Sequence, residues 1–194
     1  MRFAKAIEGF DGPPHDFVDV VEFPDALVVT LADGAGSAGD ALAAVVLECV
    51  SRFAAAERTH DAVSTLASAD QPDTGGESTA VTVEFRADGL RGASVGDSEA
   101  WLVRERDFVD LTEHQRRKPL LGSGEAVPVA FSHPSSEGTL VVGSDGLFKY
   151  AGPDRICEIA RGPNLDAAAD KLIDLVRLRN GKLQDDVAVV LCRV

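Results

Sequence analysis

The apolar positions change their period along the chain, and each change marks a new element. Ala26 to Ala32 (ALVVTLA) is a short apolar run rich in β-branched residues, the composition of a buried strand. It breaks at the turn Asp33-Gly34-Ala35-Gly36-Ser37. Beyond it Ala38, Ala41, Leu42, Val45, Val46, Cys49, Val50 and Phe53 recur at spacings of three and four. That stripe predicts a helix fading near Arg58. A second, weaker helix is expected over Ala62–Ala69, before the loop Gln71–Glu77 with its Pro72, Gly75 and Gly76. From Ser78 the period drops to two. Thr79, Val81, Val83 and Phe85 face one way, and Thr82, Glu84 and Arg86 the other. Asp88-Gly89 stands where a hairpin turn belongs, and Leu90–Val95 returns from it.

Ala100–Val103 and Phe108–Thr112 read as further short strands, the first leading on from a Gly96-Asp97-Ser98 corner. Glu113–Pro128 is polar and loop-like. Thr139–Gly143 is a strand ending at Ser144-Asp145-Gly146. Asn164 caps a helix in which Leu165, Ala168, Ala169, Leu172, Leu175 and Val176 share a face, and Asn180-Gly181 stops it. Val187–Leu191 is a closing apolar strand behind Asp185-Asp186. Short strands joined by tight turns favour an antiparallel meander over parallel β-α-β units. Helices and antiparallel strands mix in one domain, residues 1–194, an α+β arrangement.

Charge narrows the function classes. Of 194 residues, 19 are Lys or Arg and 32 are Asp or Glu, leaving a net charge of −13. Such a chain is a poor ligand for nucleic acid or for an anionic membrane surface. No apolar run approaches the roughly 20 residues of a spanning helix, and Met1–Phe10, with Lys5 and Glu8, forms no apolar signal stretch. Cys49, Cys157 and Cys192 lack disulfide or metal-ligand spacing and read as free buried thiols in a reducing compartment. A cytoplasmic location is expected. His15, His60, His114 and His133 read as surface or loop residues.

The candidate chemistry lies in four acids at strand ends or tight turns: Asp16, Asp33, Asp145 and Asp185. A carboxylate in such a place is costly to bury unless it is paired, hydrogen-bonded or bound to metal. Bases are few, so a cation is a suitable partner, and oxygen-only ligands select hard ions such as Mg²⁺ or Mn²⁺. Each Asp-Gly alone is a common turn dipeptide; the argument needs the set. Two rival motifs are weaker. Gly34, Gly36 and Gly39 spell G-x-G-x-x-G, but Asp33 would repel a pyrophosphate, and the expected second parallel strand with its acid is missing. Ser98, with His114 or His133 as base, lies outside any G-x-S-x-G elbow.

Read together, these turns resemble the ordered motifs of the type 2C, metal-dependent protein serine/threonine phosphatases across nearly the whole chain. LVVTLADGAGS (Leu27–Ser37) is similar to the family's strand-Asp-Gly-x-Gly-Gly turn, and ESTAVTVEF (Glu77–Phe85) to its Gly-Ser/Thr-Thr-Ala strand. GASVGDSEAWLV (Gly92–Val103) resembles its Val-Gly-Asp-Ser-Arg-Ala segment, and LTEH (Leu111–His114) its Leu-Thr-x-Asp-His. TLVVGSDGLFKYA (Thr139–Ala151) resembles the Ser-Asp-Gly-Leu turn, and DDVAVVL (Asp185–Leu191) the closing strand.

The resemblance implies two stacked antiparallel β-sheets flanked by helices, a four-layer α-β-β-α sandwich. It also implies a two-metal site for Mn²⁺ or Mg²⁺ that activates water against phosphoserine or phosphothreonine in a partner protein. On that pattern Asp33 bridges both ions, the Gly34 carbonyl helps hold one, and Asp145 and Asp185 hold the second. Asp16 orients the water. Glu113 stands where many members have the aspartate of a third, looser ion, which Asp145 would share. Three departures are visible. Gly9–Asp16 (GFDGPPHD) lacks the phosphate-gripping arginine usual there, Ala35 replaces a histidine found in many eukaryotic members, and Glu99 follows Asp97-Ser98 in place of arginine. The missing arginine motivates an alternative, a catalytically weak phosphatase-like domain that binds metal or a signalling partner. Compactness is similar to that of bacterial phosphatases in stress or sigma-factor signalling. Oligomeric state is open.

Overall fold

The structure, a computed structural model, describes residues 1–35, 39–57, 61–72 and 76–194, with the backbone alone at 41, 49 and 52–57. Several sequence readings therefore fall outside the described residues. They are the turn residues Gly36, Ser37 and Ala38, the side chains of Ala41, Cys49 and Phe53, and Arg58, His60 and Gly75.

Two antiparallel sheets stack face to face. The first contains β1 (Arg2–Glu8), β7 (Glu99–Val103), β8 (Phe108–Asp110), β10 (Thr139–Gly143) and β11 (Val187–Arg193), ordered β1-β11-β10-β7-β8. The second contains β2 (Asp16–Glu22), β3 (Ala26–Ala35), β5 (Ala80–Arg86), β6 (Gly89–Val95) and β9 (Val129–His133), ordered β2-β3-β5-β6-β9. The short β4 (Glu77–Ser78) pairs with the end of β3. Helices α1 (Gly39–Glu57) and α2 (Ala62–Ala69) cover the second sheet. Helices α3 (Asp145–Phe148), α4 (Pro153–Ala160) and α5 (Leu165–Leu175) cover the first. The expected four-layer α-β-β-α sandwich is observed.

Each layer boundary has its own apolar cluster, as the strand alternation requires. Between the sheets lie Leu27, Val29, Leu31, Val81, Val83 and Phe85 against Leu102, Leu140, Val142, Val190 and Cys192. The opposite faces of the same strands meet helices: Val28, Ala32, Ala80 and Ala93 pack on Leu42, Val46, Val50 and Leu66. Trp101, Val141 and Leu191 pack on Ile156, Leu172 and Ile173. Both faces of β5 are therefore buried, including its polar side. Thr82 pairs with Thr30 at 3.0 Å, and Glu84, 3% exposed, is bracketed by Arg86 and Arg91.

Six strand or helix elements go beyond the sequence reading: β1, β2, β9 and α4, and the very short β4 and α3. Their patterns are weak. β1 presents Ala4 and Ala6 to the core, β9 is an edge strand with alternate residues exposed, and α4 has only eight residues behind Pro153. His133 is consequently a half-buried strand residue, not a loop residue, its Nδ1 2.8 Å from the Ser135 carbonyl oxygen. Cys157 and Cys192 are free and buried, as expected. Among the described residues no helix is long and apolar enough to cross a membrane.

Candidate active site

The acids gather at one end of the sandwich, where β2, β3, β10 and β11 meet. Asp16 opens β2 and stands directly opposite Asp33 near the end of β3. From the other sheet, Asp145 begins α3 immediately after β10, and Asp185 and Asp186 precede β11. Two bonds fix this second pair of turns together: Ser144 N–H donates to the Ala188 carbonyl at 3.1 Å, and Ala188 N–H to Ser144 Oγ at 3.0 Å. Chain segments separated by more than a hundred residues thus bring their carboxylates to one place.

Glycines permit the close approaches. A Cβ on Gly146 would stand 2.0 Å from the Asp186 carbonyl oxygen, so only glycine lets the Asp145 turn pack on the segment carrying Asp185 and Asp186. A Cβ on Gly34 would stand 2.6 Å from the backbone carbon of Gly39, where β3 passes the start of α1. Those two glycines of the G-x-G-x-x-G pattern serve strand-helix packing beside an acid. Gly34 N–H also donates to the His15 carbonyl at 3.1 Å, tying β3 to the residue before Asp16.

Asp16 is the most unusual member. It is 2% exposed, and both of its carboxylate oxygens are buried without a hydrogen-bond partner among the described residues. Burial pushes it up to about 7, with Asp186, Asp145 and Asp185 adding repulsion against the lowering influence of nearby Ser144. Burial pushes Asp33 up to about 8, reinforced by Asp16, Asp145, Asp97 and Asp185. Asp145 is raised by burial and by Asp185 and Asp97, while Lys149 and Arg117 oppose the rise. Asp145 and Asp185 thus both act on Asp16 and on Asp33, which puts the four acids in one electrostatic neighbourhood. Among the described residues, no three His, Cys, Asp or Glu side chains close into a single metal-coordination group as they stand.

Glu113 lies apart. It is 63% exposed, 3.4 Å from His114 Nε2, and is not among the charges acting most strongly on Asp16, Asp33 or Asp145. Two acids that sequence reasoning left without a role belong to the cluster. Asp97, at the corner between β6 and β7, acts on Asp33 and Asp145. Asp186 accepts from Phe10 N–H and His15 N–H, both at 2.6 Å, and so anchors the loop leading into Asp16. Their signals, Gly-Asp-Ser and Asp-Asp, were in plain view, but the contacts that give them roles are long-range.

Ser98 is excluded as a nucleophile. It is fully buried, its hydroxyl 2.7 Å from Thr79 Oγ1, and Thr79 Oγ1 accepts in turn from Asp33 N–H at 3.3 Å. This relay braces the strand that carries Asp33. Glu99, in the family's arginine position, accepts from Trp101 Nε1 at 2.8 Å.

Three solved structures carry the same fold. A bacterial serine phosphatase bearing an arginine-to-alanine substitution superposes with a TM-score of 0.85 at 19% identity, covering 99% of this chain and 97% of its own. The serine/threonine phosphatase of S. agalactiae gives 0.82 at 21% identity, with 98% of both chains covered. The catalytic domain of the serine/threonine protein phosphatase PstP, in complex with two manganese ions, gives 0.77 at 20% identity, covering 98% of this chain and 96% of its own. The architecture is that of the type 2C, or PPM-type, phosphatases. Within that class the chain belongs to the family of stage II sporulation protein E (SpoIIE), whose family model matches residues 24–194. The sequence matches no curated protein. β1 and Asp16 lie ahead of the matched stretch.

Proposed function

We propose that the protein is a metal-dependent phosphatase that hydrolyses phosphoserine or phosphothreonine in a partner protein. The observation that carries this reading is Asp16, a carboxylate with both oxygens buried and without a hydrogen-bond partner among the described residues, opposite Asp33 and repelled by Asp145 and Asp185. Desolvated carboxylates that repel one another are stable near neutral pH only when protonated or when a cation joins them. The donors are all oxygen, so the set fits hard divalent ions such as Mn²⁺ or Mg²⁺.

Asp33, the Gly34 carbonyl, Asp145 and Asp185 would hold the ions. Bound there, a pair of them would supply Lewis acidity toward the phosphoryl oxygens and a water of lowered pKa. Asp16, opposite Asp33, would orient the attacking water through a carboxylate oxygen. Asp186 fixes Asp16 in place through the Gly9–His15 loop. In-line attack on phosphorus then needs no nucleophilic side chain. Glu113 is a candidate only for a third, looser ion shared with Asp145.

Hydrolysis of a phosphothreonine peptide with Mn²⁺, Mg²⁺ or chelator tests the reading. Turnover is expected with either metal, none with chelator, and a loss of at least about a hundredfold in Asp145→Asn. Turnover that survives chelator would overturn it. A second reading, a phosphatase-like domain that binds metal or a signalling partner and turns over poorly, draws on the absence of arginine from Gly9–Asp16. Metal binding without hydrolysis is its signature.

A further inference from the structure

An acidic protein that binds a phosphate needs a local cation, and the segment Gly9–Asp16 provides neither lysine nor arginine. Among the described residues, two cations from elsewhere in the fold reach the acid cluster. Lys149 follows α3, its N–H donating to the Asp145 carbonyl at 2.8 Å. Its Nζ lies 3.4 Å from Asp185 Oδ2 and 3.8 Å from Asp145 Oδ2. Arg117 comes from the 113–128 loop, with Nη2 3.6 Å from Asp97 Oδ2.

We propose that Lys149 and Arg117 form a two-armed clamp for the substrate's phosphate, standing in for the arginine missing from Gly9–Asp16. This deepens the phosphatase reading and rests on it.

Position, slack and chemistry all support the clamp. Both side chains are well exposed, 52% for Lys149 and 79% for Arg117, and their ion pairs among the described residues are longer than ordinary charged hydrogen bonds, Lys149 Nζ lying also 5.1 Å from the centre of the Tyr150 ring. Arg177, Arg193, Arg161 and Arg104 differ, since each donates at least one bond of 2.9 Å or shorter to a carbonyl or carboxylate. The backbone beneath Arg117 is nevertheless fixed to the Asp97 corner. Gly96 N–H donates to the Arg116 carbonyl, and Gln115 Nε2 to the Ser98 carbonyl, both at 3.0 Å. A loose cation on a fixed base can exchange a carboxylate for a phosphate oxygen with little rearrangement. Arginine offers phosphate a planar, bidentate fork, and lysine a compact point charge. With the chain at −13, the pair also offsets the repulsion an anionic substrate meets.

The test uses the whole chain loaded with Mn²⁺, with Lys149→Ala, Arg117→Ala, the double variant and Lys149→Arg. Binding of inorganic phosphate is measured by calorimetry, and KM and kcat with a phosphothreonine peptide. Each single alanine variant is expected to raise the phosphate Kd and the KM roughly tenfold, with a smaller change in kcat, and Lys149→Arg to recover most of the loss. Mn²⁺ affinity without phosphate is expected to hold or to tighten. A phosphate Kd within about twofold of wild type in the double variant would overturn the clamp. So would Mn²⁺ affinity falling in step with KM, which would make the two cations mere supports of the acid cluster. The two claims separate cleanly. Wild-type turnover with unchanged phosphate binding in the double variant sinks the clamp alone. Phosphate binding that the variants lose, without wild-type turnover, keeps the clamp and sinks the phosphatase.

Discussion

Gly146 shows how closely single residues control the site. Its missing Cβ would stand 2.0 Å from the Asp186 carbonyl oxygen, against backbone that cannot swing aside as a side-chain tip can. Gly146→Ala should push the Asp145 turn away from Asp185 and Asp186, separating acids that act together. Overpacking of this kind typically costs about 1–3 kcal/mol. We expect a folded protein with a lowered Tm and turnover reduced well beyond what the stability loss explains. Circular dichroism melts beside peptide kinetics check it, and wild-type kinetics in the variant would contradict it. At this scale much of the site was legible in the sequence. Asp33, Asp145 and Asp185 stand next to apolar strands and glycine or acid turns, a local pattern that marks a costly position for a carboxylate. Asp186 and Asp97 were not, because their roles arise from partners 176 and 171 residues away in one case and from a corner packed against another sheet in the other.

Among the elements, the 113–128 loop has an anchor that no local motif announces. Asp70, just beyond α2, accepts from Gly122 N–H at 2.7 Å, Ala126 N–H at 2.8 Å and Gly124 N–H at 2.9 Å. Leu121 adds a two-bond bridge to Ser78. The loop is therefore ordered in spite of its polar composition, and it presents Arg117 from a fixed base. Asp70→Ala leaves three N–H donors without their charged acceptor. It should cost about 2–3 kcal/mol, moderated by water reaching the exposed part of the loop. Thermal melts are expected to show a drop of several degrees, with KM raised more than kcat. A KM equal to wild type would contradict the link between loop and substrate. Strong periodicity made β3, β5, β6, β10, β11, α1 and α5 readable, and a weaker stripe did so for α2. β1, β2 and β9 were hidden because edge strands carry small or half-exposed residues, and their identity is set by the strand they pair with.

The whole molecule concentrates acids that Lys149 and Arg117 offset only in part, and this should register in stability. Asp16 and Asp33 have an ordinary value of 3.8, raised in the fold to about 7 and about 8. The folded, metal-free protein therefore keeps protons that the unfolded chain has released. Their stabilising contribution is complete below about pH 4 and is lost as pH rises through about 8. In chelator, Tm should fall by several degrees from about pH 5 to about pH 8, and Asp33→Asn should flatten that slope. Saturating Mn²⁺ should raise Tm most at the alkaline end, because it binds the deprotonated acids. A Tm in chelator that climbs across this range, with no effect of Asp33→Asn, would contradict the account.

One cluster of acids drawn from both sheets is proposed to bind metal and so to hydrolyse phosphoester. The most direct measurement titrates metal-free protein with Mn²⁺ while following heat and phosphothreonine-peptide hydrolysis in parallel. The account predicts about two ions per chain and turnover that rises with their occupancy, both lost in Asp33→Asn. Turnover without bound metal, or Mn²⁺ binding that Asp33→Asn leaves untouched, would contradict it.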